Sequence, residues 1–486
     1  MTNSNNTVNA LGTLISRILN SQFTRILIVT LLILVLQIPI VFLQNLVYER
    51  QQNYQAATSD ITEKWGDPQT FIGPQLNIPY IVRTGSGDDV QTIRKQATFL
   101  ADDLTIAGNL TTEVRYRGLF EVPVYQADLT IKGQFGRPFT NWDVKPEDVL
   151  WDEAELSIQI ADTRAIQNQG IVLWNKQEIP LEPGQGTMAD NAPKIQTTTA
   201  QPYNQREWVP TPNDPNSVNS DSINIPGIHV PLRDRMEGET FKFELPLQIK
   251  GSQSVYFAPF GRVTQVKLTS DWPDPSFQGP WLPSDRTVNI DGFTANWSIP
   301  SLGRSYAQYW NNENPIASDL VQQSLFGVDL IAPVDNYRMV ERSIKYNFIF
   351  LVLTFAVFWL FEVIVPLRVH PLQYLLVGTA MSLFYLLQLA LSEHIGFQSA
   401  YLTASVAVAV MITSYSIAVL KANRRGGVIG VTQVALYGYL YVVLAHQDFS
   451  LLIGSLGLFV FLGIVMFFTR NVDWANPQQV GESSNK

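Results

Sequence analysis

The side chains best equipped for chemistry lie in three short stretches. Ser270-Asp271-Trp272-Pro273-Asp274-Pro275-Ser276-Phe277 sets two carboxylates and two aromatic rings on a proline-stiffened segment. Asp271, Trp272, Asp274 and Phe277 are therefore candidates for surface-loop contact with a sugar or calcium. Hydrolysis of a glycosidic bond needs two carboxyl groups about 5 to 9.5 Å apart across a cleft, and three residues along one stiff loop do not supply that. A structural turn is the competing reading of the same residues. The second stretch, Glu393-His394, lies between two apolar runs, level with Arg342 and Lys345. Pairing of Glu393-His394 with Arg342 or Lys345 is expected to fasten the two parts of the protein together. The third set, Glu362, His370, Gln373, Tyr374 and Gln388, with Tyr385, falls within or beside apolar runs, where polar groups are costly and face a partner or a wet cavity. For Glu362 the alternatives are a carboxylate paired with Arg368 and a proton or ion relay.

Other chemistries are absent from the text of the chain. There is no Cys, hence no disulfide, thiolate ligand or Cys nucleophile. Four His in 486 residues are few for a metal site, and no phosphate-loop, dinucleotide, zinc-protease or serine-hydrolase motif occurs. No catalytic residue, cofactor or metal is expected.

The elements that position these residues follow from composition. Residues 1–45 and 346–470 are almost uncharged and apolar, whereas the stretch between them holds nearly all the acids. The run Ile26–Leu43 can cross a membrane once. Its length and the polar leader before it favour an uncleaved anchor over a signal peptide. Five further runs, 346–365, 372–391, 400–420, 428–445 and 451–468, are each long enough to span. This predicts a membrane α-helical protein of about six transmembrane helices with a large all-β, sandwich-like extracytoplasmic domain. Its segments are a cytoplasmic leader (1–25), an anchor helix (26–44), a periplasmic β-rich domain (45–345), a five-helix bundle (346–470) and a cytoplasmic tail (471–486).

Orientation comes from the basic residues. Arg17, Arg25, Arg368, Lys421, Arg424, Arg425 and Arg470 fall on one side, whereas the short loops with Glu393-His394 and His446-Gln447-Asp448 carry no Lys or Arg. Both termini are thus expected in the cytoplasm of a bacterial inner membrane. The 46–345 stretch holds 25 Lys and Arg against 37 Asp and Glu, a net of −12. Nucleic acid and other polyanions are poor partners for it; the bilayer, an envelope protein or a glycan is expected instead. Nothing in the sequence fixes an oligomeric state.

Within that stretch the hydrophobic period is two. Ala127, Leu129, Ile131, Gly133 and Phe135 alternate with polar residues, as do Phe241, Phe243, Leu245, Leu247 and Ile249. Half-buried strands in packed antiparallel sheets follow. Residues 182–222, rich in Pro, Asn and Thr, read as a flexible insertion. Tyr54, Ala57 and Ile61 share a helical stripe, extending the anchor outward as a stalk.

A family resemblance runs along the chain. Glu49-Arg50, Gly73-Pro74, Arg117-Gly118-Leu119-Phe120, Ser270-Asp271-Trp272-Pro273, Asp335-Asn336-Tyr337, Glu341-Arg342-Ser343, His370-Pro371-Leu372-Gln373 and Leu391-Ser392-Glu393-His394 together resemble the CreD family of bacterial inner-membrane proteins. The resemblance implies a role in cell-envelope integrity, stress response and colicin tolerance, within the regulon of a two-component system. It implies no reaction. The expected function is accordingly non-enzymatic support of the envelope, with the β domain engaging an envelope component. A transporter or flippase-like accessory using the intramembrane polar groups is the alternative, and a periplasmic envelope-modifying enzyme a third.

Overall fold

The computed structural model describes residues 22–84, 91–136, 142, 144–186, 226–330, 336–364, 369–446 and 449–470. The chain divides into two compact units, residues 55–333 and residues 1–54 with 334–486. Most of the predicted insertion, 187–222, lies outside the described residues, but Glu182–Pro183 forms a short strand.

The first unit is mostly β. Its strands are β1 Gln69–Thr84, β2 Gln91–Arg117, β3 Phe120–Gly136, β4 Glu155–Ile160, β5 Ile171–Trp174, β6 Gln177–Pro180, β7 Glu182–Pro183, β8 Gly227–Pro231, β9 Thr240–Ser252, β10 Ser254–Phe257, β11 Gly261–Ser270, β12 Pro275–Gln278, β13 Asp285–Asn289, β14 Gly292–Pro300, β15 Tyr309–Asn311 and β16 Phe326–Leu330. The alternation read from the sequence is the alternation of burial: Phe241, Phe243, Leu245, Leu247 and Ile249 of β9 are all buried.

The strands join in one continuous hydrogen-bonded network that is antiparallel except for two pairings, β1 with β10 and β2 with β11. The cause is the length of β2. Its residues 91–100 pair with β1, and from Asp103 onward it pairs antiparallel with β3. One strand thereby belongs to both parts of the network, as strands do at the corners of packed sheets. A two-residue turn, Gly118-Leu119, joins β2 to β3, and Gly118 takes φ 64° there, as such a hairpin turn requires. The core is aromatic: Phe71 stacks on Phe257 at 5.4 Å and Trp174 on Phe241 at 5.7 Å.

The second unit is helical. Helix α1, Gln22–Trp65, is continuous through the predicted anchor and stalk. Its membrane portion buries Ile33, Leu36, Ile40, Leu43 and Val47, one stripe at alternating steps of three and four. After a short helix in the β unit (α2, Ser318–Gln323) come α3 Asn336–Lys345, α4 Asn347–Ile364, α5 Pro371–Leu420, α6 Asn423–Ala445 and α7 Ser450–Thr469. Helices α3 and α4 meet at a 45° bend, so α3 groups with the membrane unit although its polarity places it in the β domain on composition alone.

Among the described residues four helices are long and apolar enough to cross a membrane, five if the bent pair counts as one span. Six apolar runs were expected. The difference arises because the runs 372–391 and 400–420 are joined in α5. That helix is broken at Gly396, whose φ of 74° and ψ of 162° are not helical. The ring centroids of Phe384 and Tyr401 lie 5.5 Å apart, whereas 17 residues of straight helix would separate them by roughly 25 Å. The chain therefore doubles back at Gly396.

Candidate functional site

The turn at Gly396 organises the polar groups of the membrane unit. Breaking a helix frees carbonyls on one side and N–H groups on the other, and in α5 one amide serves both. Asn336 Nδ2 donates to the Ser392 carbonyl at 3.0 Å, and Asn336 Oδ1 accepts from Phe397 N–H at 3.1 Å. Asn336 is the first residue of α3, so the helix start and the turn are fixed by the same side chain. Beside it, Tyr337 donates its hydroxyl to Glu393 at 3.1 Å, and Arg50 from α1 lies 3.8 Å from the same carboxylate.

This cluster differs from the expected one. Glu393 was assigned to Arg342 or Lys345; its ion pair is instead with Arg50, across the helices rather than along the chain. Lys345 is exposed and pairs with Glu341 one turn earlier at 2.9 Å, the geometry an i,i+4 spacing favours. Arg342 is half-buried and His394 exposed. In the sequence Arg50 and Asn336 stand out only as parts of the family motifs Glu49-Arg50 and Asp335-Asn336-Tyr337, and Gly396 not at all. The available signal was the polar interruption Glu393-His394-Ile395-Gly396 between two apolar runs.

The intramembrane candidates separate into two groups. At the other end of the bundle His370 and Gln373 cap α5: His370 Nδ1 accepts from Leu372 N–H at 3.2 Å, and Gln373 Oε1 accepts from His370 N–H at 2.9 Å. Two otherwise orphaned donors are satisfied reciprocally. Glu362 is buried and accepts from Val369 N–H at 2.7 Å; its expected partner Arg368 lies outside the described residues. Tyr374 packs edge-on to Phe355 at 5.3 Å. Deeper in the bundle, Gln388 accepts from Ser343 at 3.0 Å and Gln433 donates to Thr354 at 3.1 Å. Atoms of these amides remain unsatisfied: Gln388 Nε2, Gln433 Oε1 and both polar atoms of Asn347 have no hydrogen-bond partner among the described residues. Asn347 and Thr354 are seven residues apart in α4, so they share one face of that helix.

In the β unit the Asp271 segment is divided between core and surface. Trp272 is buried, donates its indole N–H to the Asp274 carbonyl at 3.2 Å, and is unavailable as a surface contact. Phe277 packs edge-on to Phe293 and Trp297. Burial corrects the assignment of Trp272 to a contact surface, whereas Phe277 remains half-buried. Asp271 accepts from both the N–H and the hydroxyl of Thr112, at 2.8 and 2.7 Å. It also lines a polar cleft of about 340 Å³ with Asn109, Thr269, Thr287, Asn289 and Asp291. The turn residues Asn289 and Asp291 carry no distinguishing sequence signal. Among the described residues no group of three or more His, Asp or Glu is placed to hold a metal ion.

The family model described as inner membrane protein CreD matches residues 21–475. The chain belongs to the CreD family. It is 29% identical over 447 residues to the inner membrane protein CreD of Escherichia coli (strain K12), an alignment covering 91% of each chain. The match includes the anchor, the β unit and all the helices of the membrane unit, so the CreD assignment applies to both units together. In an inner-membrane protein of the CreD family with several spanning helices, a polar group that lies at the depth of the hydrocarbon needs a partner within the protein.

Proposed function

We propose that this CreD family member is a non-enzymatic inner-membrane protein that supports cell-envelope integrity, with its β unit in the periplasm engaging an envelope component. The observation carrying the reading is the cleft around Asn109, Asp271, Asn289 and Asp291. Amides, hydroxyls and carboxylates converge there, able to hydrogen-bond a glycan or a polar protein segment. The acidic excess of the unit disfavours polyanions. Asn289→Ala with Asp291→Ala should abolish protection of a gene-deletion strain against detergent stress while leaving membrane insertion intact. Full restoration of survival by that double variant would overturn the role of the cleft.

The same reading includes six crossings. Helix α5 has 50 residues, about 75 Å of helix against a hydrocarbon core of about 30 Å, and its doubling back at Gly396 makes it two spans. The basic residues then put both termini inside. Because the natural chain has no Cys, single cysteines at Ser59 and Thr469 can be labelled with an impermeant maleimide in intact spheroplasts. Ser59→Cys should react and Thr469→Cys should not.

A transport-type accessory role is the second reading, favoured by the unsatisfied buried amide of Asn347. Asn347→Leu that inserts and folds yet loses envelope protection would favour it; unchanged protection would dismiss it.

A further inference from the structure

The two helices that follow the turn at Gly396 pack unevenly along their length. Near Lys421 they touch: a Cβ on Gly430 would lie 2.6 Å from Thr413 Oγ1, and one on Gly426 would collide with Ile417. Toward the Gly396 end the contact is carried by aromatic side chains, with Tyr401 5.5 Å from Tyr441 between ring centroids, and not by close backbone approach. A Cβ on Gly438 would meet nothing within 4 Å, and a cleft of about 540 Å³ opens between the second half of α5 and α6. This is within the roughly 300–1,000 Å³ of small-molecule sites.

The lining of the cleft is graded. At its mouth stand Gln398, Ser399 and Tyr441, and its far end is Ala409 and Val434; Ser405 between them donates its hydroxyl to its own helix at the Leu402 carbonyl. From Gln398 to Ala409 is 11 residues of helix, about 16 Å, or half the roughly 30 Å of a bilayer's hydrocarbon. Tyr437 also lines the cleft, is 5% exposed, and its hydroxyl has no hydrogen-bond partner among the described residues. Tyr401 has already committed its own hydroxyl to the Tyr437 carbonyl at 2.6 Å. A polar mouth, an apolar depth and a length of one leaflet match one class of molecule.

We propose that the cleft holds one acyl chain of a phospholipid from the leaflet at the Gly396 end, with Gln398, Ser399 and Tyr441 hydrogen-bonding its ester and headgroup region. This rests on Gly396 lying at the membrane surface, which the cysteine-labelling experiment tests separately. Helix α7 supplies an internal standard. Its described residues are exposed or half-buried and none is buried, so most of its surface is open to bulk lipid.

The full chain would be reconstituted in phosphatidylethanolamine–phosphatidylglycerol vesicles containing a trace of phosphatidylethanolamine with a diazirine on its acyl chain. After irradiation, adducts would be mapped by mass spectrometry. Adducts per residue over 398–409 and 434–441 should exceed those over 450–469 at least fivefold. Gly438→Leu fills open space and removes a helix-destabilising glycine, so it should keep the fold and remove that excess. Val434→Trp, at an exposed lining position, fills the cleft independently should Gly438→Leu insert poorly. Equal labelling of the cleft and α7 in the natural protein, or an excess that survives both substitutions, would overturn the proposal. So would crosslinking of this face to a second copy in place of lipid.

Discussion

The two units differ in how many large apolar side chains they leave exposed. In the β unit Phe71, Phe135, Phe241, Phe257 and Trp174 are fully buried, whereas in the membrane unit Leu451, Phe459 and Val431 are mostly exposed. The difference reflects the solvent. Water drives the aromatic residues of the β unit together, but lipid is as apolar as leucine and gives helices little reason to hide such residues from it. Specific association in the membrane unit therefore falls to small residues and polar bridges. A Cβ on Gly378 would run into Leu36 and Phe355, and one on Gly457 into Tyr439. Not every glycine works this way, since Gly454 and Gly463 face open space.

Four substitutions sharpen or break this contrast. The largest effect belongs to the aromatic core. Phe71→Ala should destabilise the β unit by about 3 to 5 kcal/mol, measured by chemical denaturation of the full chain in detergent and followed by protease resistance. A loss under 1 kcal/mol would mean that the core is not held by its aromatic packing. The counterpart in the membrane unit is Asn336→Ala, which strands Phe397 N–H and the Ser392 carbonyl. A thermal-unfolding assay in detergent should show a loss of about 1 to 3 kcal/mol. An unaltered melting temperature would show that the turn does not depend on this bridge.

Smaller effects come from charge. Asp162 in the β unit is buried, which works against its ionised form, but the Arg164 side chain and the backbone N–H groups of Asp67 and Arg164 outweigh this and hold its carboxyl below the usual carboxylate range. A lowered pKa in the folded state means stabilisation that is complete above about pH 4 and lost as pH falls through the folded value. Asp162→Asn should therefore weaken the protein at pH 7 by up to about 1 kcal/mol, with the gap to the natural protein closing below pH 4. A gap independent of pH would contradict the charge argument. Least of all, Glu393→Gln should change melting by under about 0.5 kcal/mol, because the Arg50 contact is long and half-exposed. A large loss would promote that carboxylate from surface pairing to a structural anchor.

The sequence by itself determined which segments meet lipid and which form strands. Hydropathy and period-two alternation are properties of neighbouring residues, and they were legible at β3, β9 and the α1 membrane run without any knowledge of packing. The extension of α1 to Trp65 was legible for the same reason, through the stripe Tyr54, Ala57 and Ile61. Tertiary structure decided the rest. In α1 nearly every residue facing lipid or protein is apolar, so no pattern distinguishes the buried stripe Ile33, Leu36, Ile40, Leu43 and Val47 from its exposed neighbours. The partner of Glu393 was decided by the approach of α1, 343 positions away in sequence, and the parallel pairing of β2 with β11 by a strand long enough to serve both parts of the network. Contacts of this kind depend on which surfaces arrive together, and a linear sequence records the surfaces but not their meeting.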